Sequence, residues 1–185
     1  ACQNKKYGRN VIQEDVSVRM VCMVQRICCG NVNCYLVSNG KTAILVDTGR
    51  EKYRQKILDA CKPYDVRLLV LTHGHVDHIQ NAAFLLDALG CPAAMHEADI
   101  PLIDDNMLQP LKADSILGKI VLWASIKSFQ QDTIYPFTPS IFLKEGDSLE
   151  AHGIPARIIG LPGHTKGSIG IDIMEKELIV GDALM

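Results

Sequence analysis

The sequence predicts a single α/β domain over residues 1–185. Three observations carry that prediction. Short apolar runs alternate with segments of helical periodicity, which is the pattern of a sheet interleaved with helices. One run, Val66 to Leu71, is almost continuously apolar, as a strand buried on both faces requires. Hydrophobic residues make up 48% and aromatics only 5%, so the core is built from Val, Ile, Leu and Ala, which suits a sheet covered by helices. A length of 185 residues is enough for one domain with its own core, and no repeat, low-complexity tract or linker divides it.

The elements follow in order. Val16 to Cys29 and Asn31 to Ser38 read as two strands joined near Gly30, and Asn39-Gly40 turns the second into a third, Thr42 to Val46. Glu51 to Cys61 is helical and closes at Lys62-Pro63, ahead of the Val66 to Leu71 strand. A helix from His78 to Leu89 sets Ile79, Ala82, Ala83, Leu86 and Leu89 on one face and stops at Gly90 and Pro92. Ala93 to His96 is a short strand, and His96 opens a polar surface turn. Ala98 to Asp105 and Asp114 to Gln130 both read as helices, separated by Gln109-Pro110. The stretch over about 97–139 has two readings: a helix packed on the sheet, or a cap whose Trp123, Phe129, Tyr135 or Phe137 shape a pocket. Ile141 to Lys144, Ser148 to Ala151, Ala156 to Leu161, Ser168 to Met174 and Glu177 to Val180 are short strands, with His152 exposed in a turn between two of them.

The chemistry is concentrated in Thr72-His73-Gly74-His75-Val76-Asp77-His78, where four metal-binding side chains occupy six positions at a strand-to-helix junction. In an extended segment side chains alternate, so His73, His75 and Asp77 are expected on one side and His78 on the other, as a ligand to a second ion would be. Imidazole nitrogens and carboxylate oxygens suit zinc and related divalent ions. Asp77 also stands where a helix N-cap belongs. Downstream, Pro162-Gly163-His164-Thr165-Lys166-Gly167-Ser168 places a histidine in a turn after one strand, and Val180-Gly181-Asp182 brings a carboxylate to the end of another.

Together with Leu45-Val46-Asp47-Thr48-Gly49, these motifs resemble the metallo-β-lactamase superfamily of metallohydrolases, in that family's order from about Val32 to the last residue. The resemblance implies an αββα sandwich, two sheets face to face with helices outside. It implies that His73, His75 and His164 hold a first metal, Asp77 and His78 a second, and that Asp182 bridges both. Asp47 matches a position beside the centre, where it would orient a ligand histidine, or else it simply closes a strand into a Gly turn. In the family another histidine, beyond a further strand and helix, completes the second metal's shell. The chain ends three residues after Asp182, and His96 and His152 come too early to match, so the expectation is a sandwich without its last elements and an incomplete second site. An open sheet edge of that kind leads us to expect pairing with a second copy.

The implied activity is hydrolysis by a metal-activated hydroxide, with Zn2+ as the expected metal, one or two ions, and Mn2+ or Fe2+ as substitutes. Asp77 would orient the hydroxide and accept its proton. True β-lactamases usually lack the combination of His78 with a bridging Asp182, and flavodiiron reductases carry glutamate at the position of His75. The expected substrate is therefore a small-molecule ester, thioester or lactone. A phosphodiesterase or nuclease branch and a catalytically inactive metal-binding module are the alternatives. A net charge of -2, without a Lys/Arg-rich patch, weighs against nucleic acid, and no apolar run approaches a membrane span. Seven cysteines without paired spacing or a visible secretory segment suggest free buried thiols and a reducing, cytoplasmic location.

Overall fold

Two left-handed glycines start the larger sheet. β1 (Cys22–Cys29) turns through Gly30, at φ 80°, into β2 (Val32–Asn39), and Gly40, at φ 62°, turns β2 into β3 (Thr42–Val46); both pairings are antiparallel. The computed structural model describes residues 22–108 and 132–184. The strand residues expected before Cys22, the helix expected over 114–130, and Trp123 and Phe129 lie outside the described residues.

From β3 the chain crosses through a 3-10 turn, Glu51–Tyr53, and helix α1 (Arg54–Cys61) to β4 (Asp65–Val70), which lies parallel to β3. Helices α2 (Val76–Ile79) and α3 (Ala82–Leu89) then lead to β5 (Ala93–Met95), parallel to β4. After a 3-10 turn at Glu97–Asp99 and helix α4 (Pro101–Asp104), β6 (Ile141–Phe142) completes a sheet of order β1-β2-β3-β4-β5-β6. A second sheet is an antiparallel meander of β7 (Ala156–Gly160), β8 (Ile169–Ile173) and β9 (Glu177–Ile179).

Alternation along the strands sorts the core into two layers. Val37, Ile44, Val46, Leu68 and Val70 face the second sheet and pack with Ile158, Ile169, Ile171, Ile173 and Ile179. Leu36, Leu45, Leu69 and Leu71 point the other way, onto Ile57, Cys61, Ile79, Ala82 and Leu85 of the helices. Both faces of β4 are therefore dry from Leu68 to Val70, which is why the polar alternation of Asp65 and Arg67 stops there. Each fully buried Leu or Ile stabilises by about 1.5–3 kcal/mol, so these strand ends are rigid platforms. Tyr135 is exposed, whereas Phe137 packs against the helix-side core.

Several expectations need correction. The single helix from His78 to Leu89 is broken into α2 and α3, because the His78 carbonyl accepts Thr48 N–H and Thr48 O–H, both at 2.8 Å, and is taken out of the helical ladder. The break rotates α3, and Leu85, absent from the expected face, is fully buried while Ala83, Leu86 and Leu89 are only partly so. Ser148 to Ala151 is no strand: Ser148 makes one isolated bridge to Arg157, and Glu150–His152 is a 3-10 turn ended by left-handed Gly153. His152 is half-buried rather than exposed. The helix expected from Ala98 is split between the 3-10 turn and α4, with Pro101 starting the latter. Among the described cysteines all are free; Cys29, Cys34 and Cys61 are buried, whereas Cys28 is exposed and Cys22 and Cys91 are half-buried.

Candidate metal centre

Leu71 is the last residue still bonded to a strand neighbour, its N–H donating to Ala94 O at 2.9 Å. Thr72 then leaves the sheet and is held from two sides. Its N–H and O–H both donate to the Asp47 carboxylate at 2.8 Å, and its carbonyl accepts Ile169 N–H of the second sheet at 2.9 Å. Asp47 ends β3 in the left-handed region, at φ 60°, and is itself buried. Because the Thr72 O–H donates to Asp47, its oxygen is left to accept Nδ1–H of His73 at 3.1 Å, which assigns the lone pair to Nε2. Asp47 also accepts from His78 Nδ1 at 2.8 Å. One carboxylate therefore orients two histidines.

The chain stays extended only as far as His75, which is the N-cap residue of α2 with ψ 146°. Asp77 and His78 consequently project from a helical turn, and Asp77 is inside the helix rather than capping it. The expected one-sided set of His73, His75 and Asp77 is replaced by two overlapping groups: His73, His75 and His164, and His73, His78 and Asp182, each with its ligand atoms within 4.8 Å. The His73 ring lies 4.1 Å from that of His78, 4.9 Å from His75 and 4.8 Å from His164. His75 Nδ1 approaches His164 Nε2 to 2.9 Å. Asp182 spans the two groups, with Oδ1 3.3 Å from His78 Nε2 and Oδ2 3.7 Å from His164 Nε2. His96 and His152 belong to neither group; His96 instead accepts Ala98 N–H at its own 3-10 turn.

The electrostatics suit cation binding. Burial, with mutual repulsion among the imidazoles, pushes His73 well below the ordinary histidine value, His75 down to about 4 and His164 down. Neutral nitrogens are thus available at neutral pH. Burial alone would also lower His78, but Asp47, Asp182 and Asp77 outweigh it and hold the ring up at about 10. Burial raises Asp77, whereas for Asp182 the imidazoles overcome burial and lower it. His73 Nε2 and Asp77 Oδ1 are buried with no hydrogen-bond partner among the described residues, whereas His78 Nε2 has Asp182 Oδ1 beside it at 3.3 Å. A buried acceptor without a partner is costly, and His73 Nε2, on the one residue common to both groups, fits a divalent cation; Asp77 belongs to neither group.

Three polar side chains that the sequence did not single out hold these loops. Asn81 Nδ2 reaches the carbonyls of Thr48, Gly49 and Arg50 at 2.8, 3.1 and 2.8 Å, fixing the loop beyond Asp47. Asn106 accepts Val76 N–H and donates to Gly74 O, bracing the His73 to Val76 turn. Asp99 contacts the loops of both His75 and His164. An asparagine inside an apolar helical pattern was the available signal for Asn81, since it competes with the helix ladder. No local signal marks Asp99, whose partners are up to 68 residues away.

The family model of the metallo-beta-lactamase superfamily matches residues 29–185. The chain belongs to this superfamily. An uncharacterized protein of Aquifex aeolicus is 30% identical over 83% of the chain and 65% of its own length. A hydroxyacylglutathione hydrolase of Haemophilus influenzae is 30% identical over 82% of the chain and 66% of its own length. Among solved structures, the subclass B3 metallo-beta-lactamase BJP-1 of Bradyrhizobium japonicum superimposes with a TM-score of 0.64 at 18% identity, covering 84% of this chain and 55% of that one. TTHA1623, solved in a di-iron-bound form, gives a TM-score of 0.61 at 25% identity, covering 84% and 70%. The metallo-beta-lactamase fold expected from the motifs is therefore the observed one. The chain spans less than two thirds of the length of the first curated relatives it matches, 65% and 61%. Among the described residues no helix is long and apolar enough to cross a membrane.

Proposed function

We propose that this chain carries the metal centre of a hydrolase acting on a small-molecule thioester, ester or lactone, with zinc as the preferred metal. The observation that carries the reading is the convergence of His73, His75, His164, His78 and Asp182, from three separate segments, around a buried His73 Nε2 that lacks a hydrogen-bond partner among the described residues. His73, His75 and His164 would hold one cation, His78 and Asp77 would face a second, and Asp182 would touch both. A divalent cation bound there supplies Lewis acidity and lowers the pKa of a coordinated water from about 15.7 toward 7. Asp77 Oδ1, raised by burial, is the group suited to take the proton of the attacking water. Thr72 holds His73 in the tautomer that leaves Nε2 free, and Asp47 holds His78 Nδ1, so that Nε2 is the His78 nitrogen left for a cation once its proton is displaced. Attack on a thioester carbonyl yields an acid and a thiol. The Haemophilus hydroxyacylglutathione hydrolase supports the thioester branch, and the di-iron form of TTHA1623 makes iron the rival metal.

The test is reconstitution of metal-free protein with Zn2+ or Fe2+, metal analysis, and turnover of a hydroxyacylglutathione thioester, a lactone, an aryl ester and a phosphodiester. Thioester, ester or lactone hydrolysis is expected, and His75→Ala should lose both metal and turnover, the latter by about 100-fold or more. Turnover of the phosphodiester alone would overturn the substrate class. Metal uptake without any turnover would point to a binding module instead.

A further inference from the structure

Asp99 belongs to neither ligand group, yet it joins the two loops that carry the three histidines. It is fully buried, at 0% exposure. Its Oδ2 accepts Gly74 N–H at 2.9 Å and Thr165 O–H at 2.6 Å, and its Oδ1 accepts Gly167 N–H at 2.8 Å. Gly74 separates His73 from His75, and Thr165 follows His164 directly. All three partners are donors, so the position suits an ionised carboxylate, which only accepts. The fit has no slack. A Cβ on Gly167 would stand 2.8 Å from Asp99 Cγ, and one on Gly74 would stand 2.9 Å from Asp99 O. The Thr165 end is braced in turn by Ser168 Oγ, 2.8 Å from Thr165 Oγ1 and accepting Thr165 N–H at 3.0 Å.

We infer that Asp99 is a positioning residue that sets the separation of the His73–His75 loop from the His164 loop, and with it the shape of the three-histidine pocket. The inference rests on the reading that this pocket holds a divalent cation. An Asn at this position must turn its NH2 toward at least one of the three donors, so one loop has to withdraw from the other. Such a withdrawal alters ligand angles as well as affinity, which a loss of stability alone would not do.

Cobalt(II) added to the metal-free chain provides the test, because its visible d–d bands report ligand geometry. Asp99→Asn and Thr165→Val are compared with the parent chain by Co2+ titration, the d–d spectrum of the bound ion, and metal-free unfolding. Co2+ affinity should fall about 10–100-fold in Asp99→Asn, with altered bands, and by less in the same direction in Thr165→Val, which removes one of the three hydrogen bonds named above. Parent-like affinity and bands in folded Asp99→Asn overturn the inference, even if its unfolding midpoint drops. Should Asp99→Asn fail to fold, Thr165→Val decides: unchanged affinity and bands overturn the inference. A parent chain that binds no Co2+ overturns the metal reading itself, and this inference with it.

Discussion

Asp47 gathers more of the hydrogen bonds that order the site than any of the candidate ligands does. It adopts a left-handed backbone, gathers both Thr72 donors and fixes His78 Nδ1, all while buried. In the metal-free protein its negative charge is also the largest influence holding the His78 pKa up against burial, while those of His73, His75 and His164 are pushed down. The two effects have opposite signs in stability. A histidine lowered by folding leaves the unfolded chain taking up protons first, so its contribution is present above pH 6.5 and is lost as pH falls toward about 4. His78, raised to about 10, contributes fully below 6.5 and loses that contribution as pH rises to about 10. Metal-free protein should therefore be most heat-stable near pH 6.5 and weaken on both sides. Unfolding midpoints measured from pH 4 to 10 after chelation check this, and a midpoint rising steadily on either side would contradict it.

At the scale of elements, the loop between β4 and α2 is shaped by what lies behind it. A Cβ on Gly74 would come within 2.7 Å of Leu102 Cβ on α4, whereas Gly40, left-handed at φ 62°, has nothing within 4 Å. The two glycines thus fail differently when changed to alanine. Gly40→Ala should cost about 1–2 kcal/mol of backbone strain and leave metal binding untouched. Gly74→Ala should cost about 1–3 kcal/mol by overpacking and should also weaken metal binding, because the histidines on either side must shift. Urea unfolding paired with zinc titration separates the two outcomes. The same loop shows where the sequence was legible. Most of the strands, though not the one expected at Ser148 to Ala151, the turn at Asn39-Gly40 and the THGHVDH, GHTKGS and VGD motifs followed from local pattern. The break at Asn81 did not, since it depends on Thr48, some thirty residues earlier, competing for the His78 carbonyl. Nor did the placement of Asp77, which followed from helix starting one residue after His75 instead of strand continuing through it. Asp99 was invisible for a similar reason: a buried carboxylate's partners are chosen by tertiary packing.

Across the whole molecule, the cluster draws on both sheets. His73, His75 and His78 leave the end of β4, whereas His164 follows β7 and Asp182 follows β9. A cation held by this set would bridge the layers, so it would bind the native state and not the unfolded chain. Saturating zinc at about 100 times its dissociation constant should then add about 2.7 kcal/mol, and chelation should remove it. Calorimetry with and without chelator measures the difference; an unchanged midpoint would count against ligands from both sheets acting together. The αββα class was readable because superfamily motifs fall at strand ends, and the composition allowed it. The face of α3 that turns inward was not, because it is set by a carbonyl claimed from another loop.

The diversion of the His78 carbonyl to Thr48 has one more effect. The backbone of the candidate ligand His78 is tied to the exit of β3, so its imidazole cannot drift outward without pulling on the central sheet. Such a ring has no slack for a cation of larger radius, which needs longer bonds and more oxygen donors. Discrimination against calcium would then come from stiffness inherited from the sheet, in addition to the nitrogen chemistry of the donors.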